Sequence, residues 1–298
     1  MIAMGDDFMT EIKRVVADPT AGPALNDLVN AEAGRLLEGL GGEEFDPGAP
    51  VSDEAVISRL DRYATLTADL ARAVALGARW SGDSVRPLWP ALIERVVAAT
   101  DRASGQTIWA DLSLYPTVLL LYAAGVGALA GGRHDNLAAF LLEPRVRSDN
   151  EWRLAVEVLY PGAVLDLQQK PRVVGLPDTY APLSDRLAAD VRPVVADLAP
   201  DDAAFNRLFD RFEYLLGLVY VDATKMAWGP TGRFAADQYG TGIDQQIEAE
   251  IKETGASWGP LAAGLFGGSL ERRDESLDRW RKSVEEARRQ ARMRQIRR

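Results

Sequence analysis

LSLYPTVLLLYAAGVGALAGG, residues 112–132, runs for 21 positions without a charged side chain. A bilayer-spanning helix needs about 20 predominantly apolar residues, so the run is either a membrane span or the centre of a core. It reads as core. Its densest apolar part, Val118 to Ala130, is shorter than a span. Ser113, Tyr115, Pro116 and Thr117 crowd one end, and Gly125, Gly127, Gly131 and Gly132 crowd the other. Two packed helices with a tight turn at Gly131–Gly132 satisfy this pattern, with small Gly125 and Ala128 letting the pair approach.

Outward from this hairpin, helical periodicity dominates. Val56, Leu60, Tyr63, Leu70 and Val74 recur at spacings of 3, 4 and 7 and line one helix face. Ser52 is a suitable N-cap, Asp53 and Glu54 favour the positive end of the dipole, and Gly77 marks an expected end. A second helix opens at Asp201 or Asp202 and carries Phe205, Leu208, Phe209, Phe212, Leu215, Leu216, Val219 and Tyr220 on one stripe. Burying eight such side chains contributes on the order of 10–20 kcal/mol gross, which places this helix at the centre of a core. Further helices are expected at 22–38, 88–103, 134–143, 151–159, 182–198 and 243–254, several with Pro near the start. Strand signals are scarce; the best, Arg172-Val173-Val174, is too short to build a sheet. The expected fold is all-α: one multi-helical domain over 1–269, with a protruding basic helix over 270–298.

Composition narrows the chemistry. Hydrophobic residues make up 47% and charged residues 26% of 298, an ordinary globular balance. The net charge of −10 argues against general nucleic-acid binding, which works through Lys and Arg. The absence of cysteine removes disulfides, thiolate nucleophiles and sulfur-ligated metals. With one histidine as well, a transition-metal site is not expected, nor is any cofactor. The amino terminus lacks the basic and apolar regions of a secretory signal, so cytoplasmic residence is the expectation.

Few residues suggest catalysis. Gly125-Val-Gly127-Ala-Leu-Ala130 matches a G-x-G-x-x-A dinucleotide fingerprint, but no long helix and no βαβ unit follow it. His134 could act as a general base oriented by Asp135, yet neighbours in sequence do not face each other on a helix. A surface histidine opening a helix is the simpler reading. Asp210 and Glu213 lie one turn apart beside Arg207 and Arg211, and an acid–base pair is conceivable. The helical wheel puts Asp210 toward solvent and Glu213 at the rim of the apolar stripe, where ion pairs at i,i+3 and i,i+4 explain both.

The tail differs from the body. Residues 270–298 hold 11 basic and 6 acidic groups, and Leu277, Trp280, Val284, Ala287 and Ala291 keep a narrow apolar seam that fails at Arg294. Arg288, Arg289, Arg292, Arg294, Arg297 and Arg298 follow without an acid and form the candidate contact with something anionic, a phosphate or an acidic lipid surface. The plainer reading is a frayed, solvated helix end, or one that docks on the acidic body of the chain or of a neighbouring copy.

Two resemblances are carried by these residues. From Leu121 the spacing L-x-x-x-G-x-x-A-x-x-x-G-x-x-D-x-L resembles one tetratricopeptide-type hairpin, without the neighbouring units that such repeats require. Leu114-Tyr115-Pro116 with the following apolar hairpin, Pro144-Arg145-Val146-Arg147, and LFDRFEYLLGLVYVD at 208–222 together resemble the helical carboxy-terminal region of bacterial SIR2-like or NTPase phage-defence proteins. The resemblance covers most of 25–240. It implies a sensor, scaffold or oligomerisation part, with the chemistry in another domain, and it implies no catalytic residue here. The leading expectation is thus a non-enzymatic binding or regulatory module acting on a protein partner or by self-association. A carboxylate-only enzyme, and a membrane-associated protein using 112–132 or the Arg-rich tail, are the alternatives.

Overall fold

A computed structural model describes residues 3–16, 18, 20–100, 107–148, 151–165, 173–237 and 239–296. Its helices run α1 (Ala3–Val16), α2 (Gly22–Leu40), α3 (Asp53–Trp80), α4 (Leu88–Thr100), α5 (Thr107–Leu112), α6 (Tyr115–Ala130) and α7 (His134–Leu142). A small hairpin of β1 (Arg145–Ser148) and β2 (Glu151–Leu154) follows. Then come α8 (Pro161–Val164), α9 (Pro182–Val194), α10 (Asp202–Thr224), α11 (Ile243–Thr254), α12 (Gly259–Ala262) and α13 (Leu270–Ile296). The fold is all-α and built around one core.

The charge-free run forms α6, whose residues from Tyr115 to Ala128 are all buried. The stretch Thr107–Ala130 is apolar and long enough to cross a membrane, but 89% of its most apolar window lies inside the fold. The glycines set its neighbours. A Cβ on Gly127 would lie 2.2 Å from the backbone oxygen of Ala75 in α3, and one on Gly125 would lie 2.0 Å from the ring of Phe212 in α10. These two residues therefore admit α3 and α10, whereas the expectation assigned Gly125 to the contact with α7. Gly132, at φ +64°, makes the turn into α7. Asn136 locks that turn by donating to the carbonyls of Ala78 (2.8 Å) and Ser81 (3.1 Å).

Ser52 caps α3 through Oγ, which accepts from the Ala55 amide at 3.1 Å. The helix passes its expected end at Gly77 and continues to Trp80. Gly77 serves packing instead, because a Cβ there would sit 2.0 Å from the indole of Trp89. The expected helix at 151–159 is also replaced. Glu151–Leu154 pairs antiparallel with Arg145–Ser148, and a single 3-10 turn follows at Ala155–Glu157.

α10 begins at an Asp201 cap that accepts from the Ala204 amide at 2.7 Å. From Phe212 to Asp222 every residue is buried, since α6 covers one side and α13 the other. α13 docks through fully buried Trp280, which lies over Gly217 and Gly229 and stands 5.4 and 5.6 Å from the rings of Tyr214 and Phe234. Val284, Ala287 and Ala291 continue the seam, and Met293 and Ile296 beyond it are exposed.

Candidate functional site

Burying all sides of α10 also buries its acids, and these define the site. A cavity of about 850 Å³ opens between the start of α9, α10, the 228–232 loop and α13. Tyr122 and Glu213 reach it from the core, Tyr160 and Trp228 stand at its rim, and Lys282, Glu286 and Gln290 of α13 form one wall.

Glu213 is 2% exposed. Its Oε1 accepts from Ser184 Oγ at 2.6 Å and from Tyr122 OH at 3.2 Å. Its Oε2 is buried and has no hydrogen-bond partner among the described residues. Burial pushes the carboxyl up to about 7, helped by the nearby charges of Asp210 and Asp185 and opposed by Ser184 and Arg233. The loop closes over Glu213 only because residue 232 is glycine: a Cβ there would fall 2.0 Å from Oε2. In the protonated acid, Oε1 already accepts two hydroxyls, so the proton resides on Oε2. In the carboxylate, Oε2 is an acceptor without a donor. Either form leaves a hydrogen-bonding group unmet, among the described residues, on a side chain that lines the cavity.

Asp210, expected to face solvent, is 1% exposed. It accepts from Arg233 Nε (2.8 Å) and Thr241 Oγ1 (2.8 Å). Arg233 also donates to Asn206 and lies over the rings of Phe209 and Tyr239. The expected i,i+3 and i,i+4 pairing along α10 is therefore replaced by a buried pair with a residue 23 positions away. The helical wheel failed because the 228–236 loop folds back over the face it left open. Arg211 likewise pairs outside its helix, with Glu250 of α11.

The other sequence candidates lie away from the cavity. His134 opens α7 half-buried, its ring against Gly259. Burial, and then the charge of Arg211, lower its pKa. Asp135 turns to Arg133 (2.7 Å) and Arg86 (2.6 Å) rather than orienting His134. The Arg133 hydrogen bond leads in holding it down at about 2. Of the tail arginines, Arg288 bonds Asp244 of α11 at 2.5 Å, Arg289 bonds Glu286, and Arg294 donates to the Thr179 carbonyl. Arg292 is exposed, and Arg297 and Arg298 lie outside the described residues. Among the described residues no group of three or more His, Asp or Glu side chains could hold a metal ion.

Ser184, Tyr122, Trp228, Gly232 and Arg233 were not anticipated from the sequence. The available signal was the loop AWGPTGRF at 227–234, whose aromatics and arginine follow closely on the wide apolar stripe of α10. Scans against protein-family models and searches of curated proteins and of solved structures find no significant match to the chain.

Proposed function

We propose that this chain is a helical binding and regulatory module: a small ligand enters the cavity beside Glu213, and α13, which walls it, relays occupancy to a protein partner or a second copy. The observation that carries the reading is the buried Oε2 of Glu213, unpartnered among the described residues, on a side chain that lines a cavity of about 850 Å³. Leaving a buried polar group unsatisfied costs about 1–3 kcal/mol, and such groups recur where a ligand supplies the missing partner. The resemblance to helical regions of bacterial phage-defence proteins suggests bacterial defence or signalling in the cytoplasm as the setting. Co-purification with the products of adjacent genes tests that setting. For the cavity itself, a fragment screen by ligand-observed NMR should give saturable binders that disappear in Ala163→Trp, which fills the space from the α8 side. Hydrogen exchange over 282–290 should slow when they bind. Binders that all survive Ala163→Trp would refute the reading.

A second reading is favoured by one observation, the carboxyl of Glu213 held at about 7. A group titrating there can donate a proton near neutral pH, so the cavity could house a carboxylate-dependent enzyme. A turnover whose pH profile carries a limb near 7, lost in Glu213→Gln, would establish it.

A further inference from the structure

The cavity's hydrogen-bonding and charge pattern indicates which ligands fit. The groups facing Glu213 are Asp210 on its own helix, Asp185 and Ser184 on α9, Tyr122 on α6, and Arg233 on the loop. Arg233 is engaged by Asp210 and Asn206, and among the described residues the partners that reach Glu213 are both hydroxyls. Hydroxyls can solvate a carboxylate, but they do not neutralise it. Farther out, Glu286 of α13 accepts from Arg289 and Gln290, Lys282 is an exposed cation on the same helix, and Asp111 of α5 adds a further acid to the lining. The lining thus sets three carboxylates, Asp111, Glu213 and Glu286, against one lysine, Lys282, a balance that disfavours an anionic ligand.

The rim supplies the other half of the pattern. Trp228 is 49% exposed and makes edge contacts with Tyr160 (6.1 Å between ring centres) and Tyr220 (5.6 Å). Electron-rich ring faces attract cations and cover apolar bodies. Leu216 completes an apolar side between rim and floor.

We infer that the cavity is a receptor for an organic cation, a protonated amine or guanidinium group donating to Glu213 Oε2, carried on an apolar body that lies against Leu216, Tyr160 and Trp228. This rests on the reading of the cavity as a ligand site. The cation supplies both things the floor lacks, a donor for Oε2 and a positive charge for the carboxylate. Binding accordingly selects the ionised form of Glu213. Since burial holds that acid at about 7, the ionised fraction rises about tenfold between pH 6 and pH 8, and affinity for a cation rises with it.

Calorimetric titration of the full chain tests this with four probes: the cations phenethylamine and agmatine, the neutral 2-phenylethanol and the anionic phenylacetate. At least one cation should bind, at pH 8 at least tenfold tighter than either comparison probe, and about tenfold tighter at pH 8 than at pH 6. Glu213→Gln should abolish the pH dependence and the preference for charge. Trp228→Leu, at the rim, should weaken binding severalfold while keeping the pH dependence, so the inference stays testable if the Gln variant misfolds. Tighter binding of the neutral or anionic probe, or binding that strengthens as pH falls, overturns the cation assignment while leaving the cavity a ligand site. If none of the four binds, the cation assignment falls, and loss or survival of the screen's binders in Ala163→Trp decides the cavity reading separately.

Discussion

Glu213 holds its proton in the folded chain at a pH where the unfolded chain has released it. Its ordinary value is 4.5 and burial raises it to about 7, so stability falls as pH rises from about 4.5 to 7 and levels off above. A rise of this size corresponds to about 3 kcal/mol. Glu213→Gln removes the titration. Urea unfolding should find the variant closer to wild type at pH 5 and more stable by about 2–3 kcal/mol at pH 8. His134 and Asp135 act in the opposite sense, their lowered values costing stability as pH falls, and comparison of the two proteins cancels them. Arg233 behaves differently, because its removal strands Asp210. Arg233→Met should cost about 3–5 kcal/mol in the same assay, with much of the loss recovered in the Arg233→Met, Asp210→Asn double variant. Neither partner could be paired by inspection of the sequence. A wheel assigns faces from one helix alone, and what covered Asp210 was a loop arriving from beyond the helix end.

At the scale of elements, apolar periodicity revealed what it physically measures, the buried stripe of a helix. It located α2, α3, α7, α9, α10 and α11, and the Gly131–Gly132 turn, because capping and local turn chemistry fix these within a few residues. It misread Glu151–Leu159, where Trp152, Val156 and Leu159 carry helical spacing but the backbone pairs with β1. Strand pairing is a long-range choice, and Trp152 there is 74% exposed rather than packed. It also mistook Gly77 for a helix end, since a glycine that admits an indole looks the same in sequence as one that caps. Glycines thus differ by context, and substitution separates them. Gly127→Ala should lower stability by about 3 kcal/mol, because the new methyl meets the Ala75 backbone, which has no room to move. Gly34→Ala in α2, where nothing lies within 4 Å, should raise it by up to about 1 kcal/mol. Thermal unfolding followed by circular dichroism checks both.

For the whole molecule, the charge-free run is the interior of a helical assembly that α10 and α13 close from one side. The expectation that follows is physical: after expression, the chain should stay in the supernatant without detergent and after a high-salt wash, because the apolar window of α6 is covered by its own fold. Trp280→Ala tests how firmly the last helix is held. It should cost about 3–5 kcal/mol and speed hydrogen exchange along α13 well before α3 or α6 respond. The seam of α13 was readable from Trp280, Val284, Ala287 and Ala291, but the cavity it walls was not, because seven separate segments of chain meet there.

The placement of Trp280 over Gly217 and Gly229 has a consequence for biosynthesis. Tyr214, Gly217, Gly229 and Phe234 leave the ribosome before the indole that fills the space among them. Until about fifty more residues have been translated, the nascent chain carries an open, greasy notch the width of a tryptophan. Chaperone capture during translation should therefore last until α13 emerges and plugs it.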